Sequence, residues 1–205
     1  MEVEYNDYPK GEIQSKKDLK QFLLIESKKY RRRNTRNPLI LITESDFLWR
    51  HNILLRRTEY YINTNNTLMS LIYKILLLRF QNKHMLHIPP NSFGCGLKIM
   101  HLGPILVNGK VKAGKNMSIH INTSIVAGGP GNGVPVLEDG IVIGVGAVIL
   151  GQVRIAKNIA IGANAVVNKT FLEENIAIAG VPAKKISDHG RVTWSNNHKQ
   201  KDESC

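Results

Sequence analysis

The sequence predicts a parallel β-helix that follows an N-terminal α-helical region. An aliphatic residue recurs every six positions over the C-terminal half, and small residues follow several of these, as in IGVGAV and IGANAV. Before about residue 85, apolar residues follow helical spacing instead. A coil with three flat faces gives a six-residue period, and the repeated residue then packs against its equivalent in the next coil. The recurring residues are Val107, Ala113, Ile119, Ile125, Leu137, Ile143, Ile149, Ile155, Ile161 and Val167.

Three helices are predicted before the coils, over residues 16–33, 44–62 and 67–82, and Pro89 and Pro90 close this region. The chain is therefore divided into a helical region (1–85), a β-helix (86–188) and a C-terminal tail (189–205). The expected apolar faces are Leu19, Phe22, Leu23 and Glu26 in the first helix, and Phe47, Ile53, Leu54 and Tyr61 in the second.

The 205 residues carry a formal net charge of +12, spread over both halves of the chain. Such an excess favours an anionic partner: a phosphorylated cofactor, an acidic polymer or a lipid headgroup surface. We expect no nucleic-acid partner, because no helix-turn-helix, zinc-finger or RNA-binding motif is present. The basic segments Arg31–Arg36 and Arg50–Tyr61 are candidates for peripheral contact with a membrane or a polymer, although a solvated helix face is the favoured interpretation.

Two cysteines, Cys95 and Cys205, form no disulfide framework or zinc-binding spacing. The first twenty residues are polar, and the longest apolar run, residues 68–80, contains Lys74 and is too short to span a bilayer. These observations predict a cytoplasmic protein.

The six-residue period is broken twice. Val107 follows Ile99 by eight residues, and the inserted segment MHLGP carries His101, which the insertion would place outside the coil interior. Leu137 follows Ile125 by twelve residues, and the Gly-rich segment AGGPGNGVPV fills the gap. Glycines allow a backbone to approach a ligand closely, so both breaks are candidate site loops.

The segments FGCGLKIMHLGPILVN, AGGPGNGVPVLEDGIVIGVGAVILG, IGANAVVNK and IAGVPAKKI resemble the hexapeptide-repeat acyltransferases, and most closely their serine acetyltransferase branch. The resemblance covers about residues 85–188. It implies a left-handed parallel β-helix, a homotrimer with active sites between neighbouring subunits, and acetyl-CoA as the acyl donor.

The resemblance implies that His101 is the catalytic base, since an imidazole titrates near neutral pH and can take the proton of an attacking hydroxyl. Three polar groups of the serine-specific members are replaced here, by Met100, by Leu86 and by the dipeptide Val134-Pro135. We therefore expect a sugar hydroxyl of a surface polysaccharide (capsular or lipopolysaccharide-type) or its precursor as the acceptor. Serine O-acetyltransferase and a non-catalytic β-helical polymer-binding protein are the alternatives.

His120, Gly128 and Gly129 are the expected acceptor-binding residues, and backbone N–H groups of the Gly-rich loop or a neighbouring coil are candidate oxyanion donors. The group that orients His101 stays open: Glu138 or Asp139, from the same or an adjacent subunit, or a main-chain carbonyl.

For acetyl-CoA, the resemblance implies a groove along the coils, with small residues for the pantetheine arm and lysines for the phosphates. No metal is expected, because His101 and His120 lack the short spacing of a three-histidine zinc site like that of β-helical carbonic anhydrases. The expected coenzyme-binding residues are Gly144, Val145, Gly146, Gly162, Ala163, Lys169, Lys184 and Lys185.

Overall fold

A computed structural model of the chain describes residues 13–30, 43–129 and 133–191. The described part begins with three helices, and strands follow from residue 86 onward. The helices are α1 (Lys16–Lys29), α2 (Glu44–Asn63) and α3 (Thr67–His84). The structure thus confirms the three predicted helices, while Arg31–Arg36 lies outside the described residues.

The strands are short and form three sheets, one for each face of the coil. They are β1 (Leu86–His87), β2 (Lys98–Ile99), β3 (Ile105–Val107), β4 (Lys112–Ala113), β5 (Ser118–Ile119), β6 (Thr123–Val126), β7 (Val136–Leu137), β8 (Val142–Ile143), β9 (Val148–Leu150), β10 (Arg154–Ile155), β11 (Ala160–Ile161), β12 (Val166–Val167), β13 (Ala177–Gly180) and β14 (Ala183–Ser187). The sheet orders are β1-β3-β6-β9-β12, β10-β7-β4 and β14-β13-β11-β8-β5-β2.

Strand register stacks the aliphatic residues of successive coils directly on one another. In the six-stranded sheet the aligned positions are Ile99, Ile119, Ile143, Ile161 and Ile178, all of them buried. These pairs are parallel, which confirms the predicted parallel β-helix. Burying one such side chain is worth ~1.5–3 kcal/mol, so the column of isoleucines is a principal source of stability.

The corners of the coil require a left-handed backbone, which explains the small and polar residues after the aliphatic positions. Gly140 and Asn158 take φ values of 75° and 57°, and Gly146 and Asn164 take 72° and 55°. Glycine and asparagine are the residues that adopt this conformation at low cost.

The last strand, β14, runs antiparallel to β13 and ends the parallel ladder. None of the helices in the described ranges is long and apolar enough to cross a membrane.

The helical region is joined to the first coil by a buried ion-pair network. Arg56 donates from Nη2 to Glu26 Oε1 at 2.7 Å and from Nη1 to Glu59 Oε2 at 2.8 Å. The same guanidinium donates to the carbonyl oxygens of Phe93 and Gly94 in the first coil, both at 2.8 Å. The side chain of Arg56 is fully buried, so this residue of the candidate segment Arg50–Tyr61 is not available for contact with a membrane or a polymer.

The expected apolar face of α2 is confirmed only in part, since Ile53 and Leu54 pack against the core. Phe47, Ile53, Leu54 and Tyr61 are only partly buried. Several of the buried α2 residues are polar and are satisfied by hydrogen bonds or ion pairs, so a hydropathy pattern does not identify them. The buried residues are Leu48, Trp49, His51, Asn52, Leu55, Arg56, Thr58 and Glu59. In α1, Phe22 and Glu26 of the expected face are buried.

Candidate active site

The candidate site begins with a row of residues that follow the strands of the six-stranded sheet. Backbone hydrogen bonds extend the ladder by one residue at each level, from Met100 N to Ile119 O at 2.9 Å and from His120 N to Ile143 O at 3.1 Å. Gly144 N donates to Ile161 O at 2.8 Å in the same way. The row, called here the corner row, consists of Met100, His101, His120, Gly144, Val145, Gly162 and Ala163.

His101 lies in the loop between β2 and β3, where the two extra residues are inserted. Its side chain is 55% exposed, so the imidazole lies outside the coil, as the break in the period predicts. A ring that solvent can reach is available to an incoming hydroxyl group. The structure therefore meets the first geometric requirement for a general base at His101.

Glu44, the first residue of α2, contacts this loop twice. Its Oε2 lies 3.3 Å from His101 Nδ1, and its Oε1 accepts a 2.7 Å hydrogen bond from the backbone N–H of Leu102. Sequence analysis missed Glu44 because it lies 57 residues before His101, in a different region of the chain. The available signal was an acidic residue in the first turn of a predicted helix, which has a simpler explanation in the helix dipole.

His120 lies at the same corner of the coil as His101. The two ring centroids are 6.1 Å apart. Burial lowers the pKa of His120, and the neighbouring His101 and Lys98 lower that pKa further, so a neutral His120 imidazole is favoured at neutral pH. A neutral imidazole beside the candidate base can donate or accept a hydrogen bond to a small acceptor.

The small residues of the corner row are required by coil stacking. A Cβ added to Gly144 would lie 2.8 Å from the backbone nitrogen of Ala163, and one added to Gly162 would lie 2.8 Å from Ala179 Cβ. Gly146, which follows the corner-row residue Val145, has a φ of 72°, a backbone conformation in which any side chain is strained. Val145 is 38% exposed and Ala163 is also exposed, so these two positions line an accessible edge of the coils. Their predicted contact with coenzyme stays a prediction.

The Gly-rich segment leaves the coil at another corner. Gly128 and Gly129 follow β6 of the five-stranded sheet, whereas His101 and His120 follow strands of the six-stranded sheet. Within one chain these glycines are therefore not part of the corner row. Their acceptor-binding role stays a prediction.

The three predicted phosphate-binding lysines differ in their surroundings. Lys185 Nζ lies 2.5 Å from Glu173 Oε1 and 2.6 Å from Asp188 Oδ1, and these hydrogen bonds raise the pKa of Lys185. Lys169 Nζ lies 5.3 Å from the ring centroid of Phe171, and Lys184 is exposed on β14. Because the Lys185 ammonium group is already paired with two carboxylates, Lys169 and Lys184 are the better candidates for phosphate-binding residues.

Glu138 and Asp139 do not orient His101 within the chain. Arg154 Nη2 lies 2.7 Å from Glu138 Oε1, and Asp139 Oδ1 accepts a 2.7 Å hydrogen bond from Lys115 N. Both acids follow β7, which belongs to the three-stranded sheet and therefore to a different corner. Leu86 is fully buried. In the described ranges, no group of three or more His, Cys, Asp or Glu side chains is arranged to hold a metal ion.

Comparison with known proteins supports this architecture. A serine acetyltransferase of Buchnera aphidicola subsp. Acyrthosiphon pisum is 32% identical over 139 residues, which are 64% of this chain and 48% of that protein. The chain thus spans about half the length of this curated relative. No family model matches the sequence.

Solved structures share the fold. The Neisseria gonorrhoeae serine acetyltransferase in complex with serine has a TM-score of 0.62 at 25% identity, over 84% of this chain and 71% of that one. The Brucella abortus serine acetyltransferase in complex with coenzyme A has a TM-score of 0.60 at 20% identity, over 85% and 70%. These neighbours confirm the left-handed parallel β-helix with N-terminal helices.

The similarities support a hexapeptide-repeat acyltransferase family for this chain. Within that family they correct the predicted acceptor. The relatives found are serine acetyltransferases, so the prediction of polysaccharide O-acetylation, and with it capsule biosynthesis, is wrong. The inference failed because it treated the loss of family polar groups at Met100, Leu86 and Val134 as a loss of the serine site, although other elements can supply polar groups to the same corner.

Proposed function

We propose that the protein is a serine O-acetyltransferase, which transfers the acetyl group of acetyl-CoA to the hydroxyl group of serine. The observation that carries this proposal is the outward His101 imidazole, held by Glu44 and set beside His120 on the corner row. The 32% identity to a serine acetyltransferase supports the same reaction.

In the proposed reaction His101 acts as a general base. Its Nε2 takes the proton of the serine hydroxyl while the oxygen attacks the thioester carbonyl carbon. The tetrahedral oxyanion collapses, the C–S bond breaks, and His101 returns the proton to the CoA thiolate. A positioned base of this kind contributes ~10²–10⁴ in rate.

The coenzyme is proposed to lie along the edge formed by Val145 and Ala163, which continues the corner row away from His101. Backbone amides at these two positions are the proposed partners of the pantetheine arm. Lys169 and Lys184 are the proposed partners of the phosphates. A homotrimer, in which a neighbouring subunit completes each cleft, is part of the proposal.

The acceptor's own charges need partners at the same corner. Serine carries a carboxylate, and Lys98 pairs with Ser118 on β5, the strand that His120 follows, so that its charge lowers the pKa of the imidazole. We propose that His120 and Lys98 hold the carboxylate. This arrangement would replace the polar groups that Met100 and Val134 no longer supply.

The test is the acceptor preference of the full-length chain. Release of CoA thiol from acetyl-CoA is measured with L-serine, L-threonine and a free hexose, and O-acetylserine is identified by mass spectrometry. The expected result is turnover with serine well above either control acceptor. Turnover of the hexose in preference to serine would overturn the proposal.

A binding experiment separates an enzyme from a non-catalytic β-helical protein. Acetyl-CoA at 100 times its dissociation constant should stabilise the folded chain by ~2.7 kcal/mol, which raises the melting temperature. An unchanged melting temperature over a wide range of acetyl-CoA concentrations would contradict any acetyl-CoA-dependent activity.

A further inference from the structure

We infer that Glu44 is the positioning residue of the general base: its carboxylate fixes the orientation and tautomer of the His101 imidazole. The inference rests on the proposed function. It assigns to a residue of the helical region a task that Leu86, Glu138 and Asp139 do not perform within the chain.

The two oxygens of Glu44 have separate partners. Oε1 accepts the 2.7 Å hydrogen bond from Leu102 N, in the loop that carries His101, and Oε2 faces His101 Nδ1 at 3.3 Å. The backbone contact fixes the carboxylate relative to the loop, so that Oε2 is held toward the ring. Glu44 and His101 are 45% and 55% exposed, so the pair is a weak contributor to stability.

Starting the helix does not require Glu44. Thr43 is the N-cap of α2, and its backbone N–H and hydroxyl group both donate to Asp46 Oδ2, at 3.0 and 2.9 Å. These contacts hold the first turn of α2 without using the Glu44 side chain. Glu44 can therefore be changed while the main cap of α2 remains in place.

A carboxylate at Nδ1 decides which ring nitrogen is the base. A carboxylate oxygen only accepts, so Nδ1 must carry the proton and donate it to Oε2. The neutral ring then presents an unprotonated Nε2, the nitrogen that can take a proton from a hydroxyl group. An acid–histidine pair of this kind also stabilises the imidazolium that forms during transfer.

Glutamine at position 44 would reverse this assignment. If its Oε1 keeps the hydrogen bond from Leu102 N, its amide NH₂ faces Nδ1 and donates to it. The ring proton then moves to Nε2, which is no longer a base. Glu44→Gln should thus be at least as damaging as Glu44→Ala, whereas Glu44→Asp keeps a carboxylate and should retain more activity.

The test compares Glu44→Gln, Glu44→Ala and Glu44→Asp with Asp46→Asn as the matched control. Asp46→Asn disturbs the start of the same helix without touching His101. For Glu44→Gln we expect a fall in kcat on the order of 10²-fold, a KM for serine within about twofold of wild type, and an unchanged melting temperature. For Asp46→Asn we expect a lower melting temperature and a nearly unchanged kcat.

Three results would overturn the inference: an unchanged kcat in Glu44→Gln and Glu44→Ala, an equal loss of kcat in Asp46→Asn, or a raised KM for serine at constant kcat, which would make Glu44 a serine-binding residue. An independent readout is the tautomer of His101 from ¹⁵N chemical shifts of its ring, expected to be Nδ1–H in wild type and Nε2–H in Glu44→Gln. If the two proteins show these tautomers but wild type does not acetylate serine, only the proposed function is refuted. If wild type acetylates serine but His101 has the same tautomer in both proteins, only the role of Glu44 is refuted.

Discussion

The interactions that stabilise the helical region differ from those that stabilise the β-helix. Each coil adds aliphatic side chains to a column in which Ile119, Ile143 and Ile161 are fully buried. The helices share this apolar core through Leu48 and Leu55, and they also bury a charged cluster, Glu26, Arg56 and Glu59, against the first coil. Stability in the coils is thus divided among many equivalent apolar positions, whereas docking of the helices adds one concentrated set of buried charges.

This difference has a consequence for the candidate site. His101 belongs to the β-helix and Glu44 to α2, so the charged cluster that docks the helices also keeps Glu44 beside the base. Glu26 Oε1 accepts from the backbone N–H groups of Gly96 and Leu97, both at 3.2 Å, shortly before the loop that carries His101. The helical region, which is harder to recognise from sequence, therefore completes a candidate site whose base lies on the easily recognised β-helix.

The largest effect is expected from Arg56→Met. Burial lowers the pKa of Arg56, but the charges of Glu26 and Glu59 outweigh burial and raise it, so the guanidinium remains charged. Its removal would leave two buried carboxylates unpaired, and we expect a loss of about 3–5 kcal/mol in the free energy of unfolding.

Chemical denaturation measures this loss, and Arg57→Met is the control. Arg57 is exposed and contacts Tyr73 Oη at 3.1 Å. Its removal should cost less than about 1 kcal/mol. Similar losses in both variants would contradict the view that the buried cluster docks the helices.

The next effect concerns pH and again the helical region. Gln81 donates from Nε2 to His51 Nε2 at 3.1 Å, so the neutral ring carries its proton on Nδ1, which faces Asn52 Oδ1. Burial lowers the pKa of His51 from 6.5 to about 4. Between these values the unfolded chain binds the extra proton, so stability is lost as pH falls from about 6.5 toward 4.

Between pH 7.5 and pH 5 this one histidine should remove about 2 kcal/mol of the free energy of unfolding. Urea denaturation of wild type and His51→Gln at both pH values measures the difference. The variant should lose less stability on acidification than wild type. Parallel losses in the two proteins would show that His51 is not buried in its neutral form.

A further effect is expected from Gly144→Ala in the β-helix. The new methyl group would meet Ala163 N and Ile161 O at 2.8 Å, which forces two coils apart and should cost about 1–3 kcal/mol. Gly109→Ala is the control, because a Cβ there has no atom within 4 Å among the described residues. A midpoint of thermal unfolding equally unaffected by both substitutions would argue against tight coil stacking at the corner row.

The coils were predictable because a six-residue period recurs in the sequence. That period has one physical cause, the stacking of equivalent aliphatic side chains in successive coils. Leu137, Ile155 and Val167 were placed in the interior from spacing alone, and all three are fully buried. The two breaks in the period located the loops, including the outward position of His101.

The buried face of α2 and the contact between Glu44 and His101 depend on contacts between distant segments, which residue spacing does not reveal. The buried face of α2 contains His51, Asn52 and Arg56, whose partners lie in α1, α3 and the first coil. Glu44 reaches His101 across 57 positions. The acceptor was mispredicted because the absence of motif residues at Met100, Leu86 and Val134 was treated as decisive against serine.

The most direct test of the central claim, that His101 is the general base of serine acetylation, is the steady-state rate of O-acetylserine formation by His101→Ala and wild type at saturating acetyl-CoA. A loss of ~10²–10⁴ in kcat with an unchanged melting temperature is expected, because the side chain is 55% exposed and contributes little to stability. A folded His101→Ala protein that acetylates serine at the wild-type rate would contradict the claim.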